Sequence, residues 1–217
     1  AVWVSGVFLA TFASYGILAP IGGWLGDSFD RRVIMIVSDV VAASVFLVLV
    51  FASEPWMLLV LALFATAAEV PFLPASQAAI PNLAEPEDLA WANGLVSQAY
   101  ALGIAVGPLI GGVLVGGVGA SAAFGINAVS FLVSAFLVWS IHADFQEDRS
   151  AISRHEGGRG LTVGIRLVWS SRVLRLVVAA EIIAYSVIGW AMVSDAPLAD
   201  LFDVGAIGFA ALIAAWG

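Results

Sequence analysis

The sequence predicts an all-α, polytopic transmembrane helical bundle, and three observations carry that prediction. Apolar residues fill 62% of the 217 positions and charged residues only 11%, where a soluble domain carries roughly 25%. Mean hydropathy is +1.04. The apolar residues are gathered into runs of the length needed to cross a bilayer as a helix, about 20 residues. So few charges cannot give a chain of this size a polar surface, so it lies in lipid. Sixteen acidic against eight basic residues leave a net charge of −8, which argues against a nucleic-acid partner. There is no Cys, so disulfides, thiolate metal sites and Cys nucleophiles are excluded.

The runs divide the chain in order. Span A covers Ala1–Leu25, span B Val33–Ala52, span C Trp56–Pro74 and span D Leu89–Val118. Span E covers Ser121–Ile141 and span F Val173–Val193, and span G starts near Val204 and is still apolar at Gly217. Span G offers too few residues for a crossing, and the first residue is neither Met nor polar. The bundle therefore reads as incomplete at both ends. No basic stretch precedes span A and Trp24-Leu25 is no small-residue cleavage site, which argues against reading this span as a signal peptide. Residues 1–142 are expected to form most of a first helical bundle with five spans, 143–172 a linker, and 173–217 the start of a second bundle. Within the linker, Gly157-Gly158-Arg159-Gly160 suits a flexible connection. Leu161 to Arg172 suits a short helix lying on the membrane surface.

Orientation follows from the basic residues, all of them Arg. Arg31 and Arg32 lie between spans A and B, and Arg149, Arg154, Arg159, Arg166, Arg172 and Arg175 lie in or beside the E–F connection. These positions share one side, which the positive-inside rule makes cytoplasmic. The expected setting is a cell (plasma) membrane, multi-pass, with the A–B, C–D and E–F loops cytoplasmic.

Two stretches carry motif character. The A–B loop runs from Gly22-Gly23-Trp24-Leu25-Gly26-Asp27 to Arg31-Arg32. Small residues let helices approach, an acid caps or pairs at a helix end, and the arginines hold the cytoplasmic side. Alone, this pattern also fits a plain positively charged turn. Span D carries Gly103, Gly107 and Gly111 at intervals of four, with Pro108 and Gly112. Such glycines form a smooth face for a neighbouring helix, and Pro108 removes a backbone hydrogen bond and kinks the span. Ordinary helix packing fits any one of these pairs equally well.

Together the two motifs resemble the major facilitator superfamily of secondary transporters, in particular its drug and siderophore exporter branch. The family's loop motif maps onto Gly23, Gly26, Asp27, Arg31 and Arg32. Ser28 stands where the pattern has a basic residue and Asp30 where it has a second Gly. The antiporter motif of the family's fifth helix matches Gly103, Gly107, Pro108, Gly111 and Gly112 in full. Pro74 to Pro81 and Trp91 to Leu95 resemble the branch's segments closing helix four and opening helix five. The resemblance implies the major facilitator fold, with spans A to G as helices two to eight of twelve. It also implies alternating access about a midplane cavity, with proton entry driving export of a small lipophilic or amphipathic compound. The loop motif would then be the conformational gate. A nutrient importer of the same family and a non-transporting membrane sensor or scaffold are the alternatives.

Ionisable groups inside spans are the remaining signal, because a charge in hydrocarbon is costly and is by default functional or paired. Three acids qualify: Asp39 in span B, Glu69 in span C and Glu181 in span F. Spans C and F correspond to cavity-lining helices in the resembled fold, so Glu69 and Glu181 are candidates for proton coupling or substrate contact. Tyr185 lies one turn from Glu181 on the same face. A structural pair, or a side chain snorkelling to water, is the other reading of each acid. Pro71 and Pro74 are expected to loosen span C just after Glu69. His142 and His155 are too far apart for metal ligation, and no phosphate-binding, dinucleotide or nucleophile motif appears. The sequence therefore calls for no metal, no cofactor and no enzyme chemistry. Its expected partners are the lipid bilayer, protons and a small-molecule substrate.

Overall fold

In the computed structural model the described residues are 2–145, 161–202 and 205–215. The linker residues Arg149, Arg154, His155, Arg159 and the Gly157–Gly160 run lie outside them. Helix α1 spans Val2–Ser28, α2 Arg31–Leu49, α3 Pro55–Glu69 and α4 Phe72–Leu83. Helix α5 spans Leu89–Val118 and α6 Ala120–Ser140, and after the linker come α7, Leu161–Ser170, α8, Arg172–Phe202, and α9, Gly205–Ala214. The described residues form no strand.

Local chemistry sets several of these boundaries. Asp30 caps α2, its carboxylate accepting a bond of 3.1 Å from the Val33 N–H, which satisfies a donor that the first helical turn leaves free. Pro55 opens α3, where a missing N–H costs nothing. Between α5 and α6 a single residue, Gly119, turns the chain at φ 86°, a conformation disfavoured for side chains with a Cβ.

Span C differs from expectation in its extent. Instead of ending at Pro74 it continues to Leu83, as two helices that meet at Val70 and Pro71. Pro71 has no N–H for the Ala67 carbonyl and Pro74 none for Val70, so the ladder fails over one turn. Both joint residues keep right-handed helical angles, so Pro55–Leu83 still reads as one 29-residue apolar span. Span F also runs further. Helix α8 continues past Val193 to Phe202 with Pro197 inside it, so the fall in hydropathy at Ser194 and Asp195 does not end the helix.

Helix α2 is central. It packs along α6 and against α3 and α4, while α1 lies on α3 and α4. Phe46 of α2 stacks on Phe131 of α6 with ring centroids 5.4 Å apart and touches Phe124 at 6.3 Å. The most deeply buried positions are small: Ala42, Ala43, Ala75, Ala79 and Ala128. Tight seams between membrane helices need such residues. Outside the seams, large apolar side chains face outward along every spanning helix, among them Val37, Val41, Phe64, Leu102, Ile110 and Phe136. Helix α5 buries only Gly112, an arrangement that suits lipid and not water. Four described spans are long and apolar enough to cross a membrane: Arg31–Leu49, Pro55–Leu83, Leu89–Val118 and Ala120–Ser140.

Candidate functional site

Two regions concentrate the polar groups, and α1, α2 and the α3–α4 span run between them. The first is an apolar cavity of about 590 Å³. Helix α1 contributes Trp3, Val7, Thr11 and Tyr15, a stripe repeating every four residues, which is one helix face. Helix α3 contributes residues from Pro55 to Glu69, and Phe46, Leu49 and Phe124 close the sides. Tyr15 and Glu69 are the last lining residues on their helices, roughly 20 Å from where the lining starts at 1.5 Å per residue. They lie close enough to interact electrostatically. A carboxyl and a phenol thus share one end of a chamber lined otherwise by aromatic, aliphatic and threonine side chains.

Asp39 sits behind this chamber. It is 4% exposed, interacts with the Ser134 hydroxyl of α6 and lies within electrostatic reach of Glu69. Its Oδ2 has no hydrogen-bond partner among the described residues. A buried polar atom without a partner is costly, so Asp39 is a group that the fold has to accommodate. Glu181 is placed elsewhere. It is exposed on α8, a helix that packs on α1, α7 and α9, and it does not line the cavity of Glu69. The side chain of Tyr185 lies outside the described residues.

The second region is the arginine-bearing end. Arg31 Nη1 donates to the Ala78 carbonyl of α4 at 2.7 Å and to the Phe145 carbonyl at 3.3 Å. Arg32 Nη2 donates to the Trp139 carbonyl at the end of α6, and its guanidinium carbon stands 5.8 Å above the Phe145 ring. Asn82 Nδ2 adds a 3.0 Å bond to the Phe145 carbonyl. The two arginines thereby tie the α1–α2 corner to α4 and α6; the Trp139 carbonyl, in the last turn of α6, is one that the helix end leaves without an intrahelical donor. The Asp27 side chain lies outside the described residues.

Glycine use at this end is selective. A Cβ on Gly22 would stand 2.9 Å from Val70 Cγ1 and 3.0 Å from the Val70 carbonyl oxygen, the acceptor that Pro74 leaves without its helical donor. On Gly26 a Cβ would meet the Ala75 backbone at 3.7 Å, and on Gly23 it would meet nothing within 4 Å. The closest approach falls on Gly22, which motif matching did not select. In α5, positions 103, 107 and 111 face open space among the described residues, while Gly112 is buried and Gly116 lies against Ile207 of α9. Sequence reasoning also passed over Tyr15, Asn82 and Phe145. The four-residue stripe ending at Tyr15 was a usable signal for the first.

A bundle of apolar helices around a chamber, with Glu69 and Tyr15 at one end of it and arginines fastening a separate corner, defines a polytopic membrane protein. The sequence matches the family model of the Major Facilitator Superfamily over residues 3–217; the chain belongs to that family. Its curated relatives include the Uncharacterized MFS-type transporter YfiS of Bacillus subtilis, 31% identical over 59% of this chain and 31% of its own. The Multidrug resistance protein MdtG of Proteus mirabilis is 33% identical over 63% of this chain and 35% of its own. The Putative bacilysin exporter BacE of Bacillus amyloliquefaciens is 31% identical over 66% and 37%. The chain spans about a third of the length of these relatives.

Proposed function

We propose that this chain belongs to a secondary active exporter that couples proton entry to efflux of a small lipophilic or amphipathic compound. The observation that carries the reading is Glu69, placed with Tyr15 at the inner end of an apolar chamber and next to the break between α3 and α4. Apolar walls suit a lipophilic body, and a lone acid in the lining can exchange a proton when the chamber admits water. The printed names of two relatives, a multidrug resistance protein and a bacilysin exporter, support export of small molecules. Asp39 would help set the charge state of Glu69. Glu181 and Tyr185 are proposed as a second coupling or substrate site on α8.

In this reading, Gly23, Gly26, Asp27, Arg31 and Arg32 form the conformational gate at the cytoplasmic side. Gly103, Gly107, Pro108, Gly111 and Gly112 form the face on which helices slide. Alternating access then consists of two populations whose balance the bound proton or substrate shifts.

Inverted membrane vesicles provide the test. Glu69→Gln should abolish uptake driven by a pH gradient while sparing substrate exchange, which moves no net proton. Glu181→Gln is the matching variant for α8. A full pH-gradient response in both single variants would remove these acids from coupling.

A further inference from the structure

Phe145 lies beyond the end of α6, in a non-helical stretch, yet it is only 4% exposed. Its ring completes a cluster with Ile34 and Met35 of α2, Ala75 and Ala79 of α4, and Val138 of α6. Two side chains from different helices, Arg31 and Asn82, donate to its carbonyl, and Arg32 covers the ring. The residues just before it, Ile141 to Asp144, are all exposed. An isolated aromatic turned back into a bundle, with its carbonyl held from two sides, is a docking arrangement and not the frayed end of a helix. Ala75 and Ala79 are 0% and 1% exposed. They supply the flat floor that a ring of this size needs.

We propose that Phe145 is a positioning residue that docks the chain leaving α6 onto the arginine corner and couples the ends of α2, α4 and α6 during transport. The arginines of the α1–α2 corner then have a second task besides gating, because they fix where the connection to α7 and α8 begins. Docking joins three things at one point: the corner through Arg31 and Arg32, the α4 end through Asn82, and the chain that leads to α8. A displacement of α4 therefore acts directly on Phe145. The transport part of this inference rests on the exporter reading above, whereas docking itself does not.

These 217 residues contain no cysteine, so in a protein whose other cysteines, if it has any, are replaced, single thiols introduced here report unambiguously. In detergent-solubilised protein, which exposes both faces, Ala79→Cys should react with maleimide about tenfold more slowly than Asp144→Cys. Adding Phe145→Ala should raise labelling at position 79 about tenfold, and adding Phe145→Leu should leave it within about twofold. Asn82→Ala, which spares both arginines, should raise it about threefold. Full protection of position 79 in both the Phe145→Ala and Asn82→Ala backgrounds overturns the docking.

Transport separates the positioning role. Phe145→Ala should lower the transport rate several-fold at normal membrane level, with the pH-gradient response ratio unchanged, and Phe145→Leu should keep at least half of the rate. Normal transport by Phe145→Ala overturns that role even where position 79 becomes reactive. A Glu69→Gln protein that retains coupling while Phe145→Ala uncovers position 79 would sink the coupling assignment and leave the docking standing.

Discussion

At Gly22 the backbone of α1 touches the α3–α4 joint with no room for a methyl group, since a Cβ would lie 2.9 Å from Val70 Cγ1 and 3.0 Å from the Val70 oxygen. The oxygen belongs to backbone and cannot swing away, so relief requires the helices to separate. Gly22→Ala is expected to lower stability by about 1–3 kcal/mol through overpacking, seen as a lower unfolding temperature of the detergent-solubilised protein. Gly23→Ala, with nothing within 4 Å, is expected to change stability by less than about 0.5 kcal/mol. Equal effects from the two would refute the packing argument. The sequence alone offered two adjacent glycines and no means of choosing between them, because the phase of α1 relative to α3 and α4 is a tertiary property. The motif did single out Gly26, which shares the Gly22 face four residues on and lies against Ala75. Arg31 and Arg32 were legible as a pair, but their carbonyl partners at Ala78, Trp139 and Phe145 lie 47 to 114 positions away in the chain.

Element boundaries were legible wherever a local chemical cause sets them. Gly119 is such a case: span D ended at Val118 and span E began at Ser121 on sequence grounds, and the turn between α5 and α6 is this one residue at φ 86°. Gly119→Ala should cost about 1–3 kcal/mol, because φ 86° with ψ 162° is a region that essentially only Gly adopts, although nothing lies within 4 Å of the new methyl. Thermal unfolding would register it, and an unchanged midpoint would mean that the turn adopts another conformation. The prolines gave the break in span C correctly, because each removes a named N–H. Two helices run further than their spans, since neither a proline, as at Pro74, nor a dip in hydropathy, as at Ser194 and Asp195, need end helical hydrogen bonding. The cavity depended on which faces of α1, α2, α3 and α6 turn inward, and periodicity marks a face without saying what it meets.

At the scale of the whole molecule, composition settled the solvent: a bundle whose outer faces carry Val, Leu, Phe and Trp must sit in lipid, and the family match agrees. Helix α5 makes the sharpest case for function at this scale. Its Gly107 faces open space among the described residues, so Gly107→Leu should change unfolding stability by less than about 0.5 kcal/mol. Transport should nevertheless fall, because a sliding face must stay smooth in every conformation it visits. Assays of transport and unfolding on the same preparation decide it, and normal transport would mark this face as ordinary lipid-facing surface. The broken span has a mechanical consequence of a different kind. Helix α4 is a lever with its fulcrum at Pro71, and the Ala78 carbonyl stands about 10 Å along it at 1.5 Å per residue. A tilt of roughly 10° moves that oxygen by about 2 Å, which is enough to part a hydrogen bond, and the bond it makes to Arg31 is 2.7 Å long. A small rotation at the joint beside Glu69 is therefore large enough to unfasten a contact about two turns beyond it.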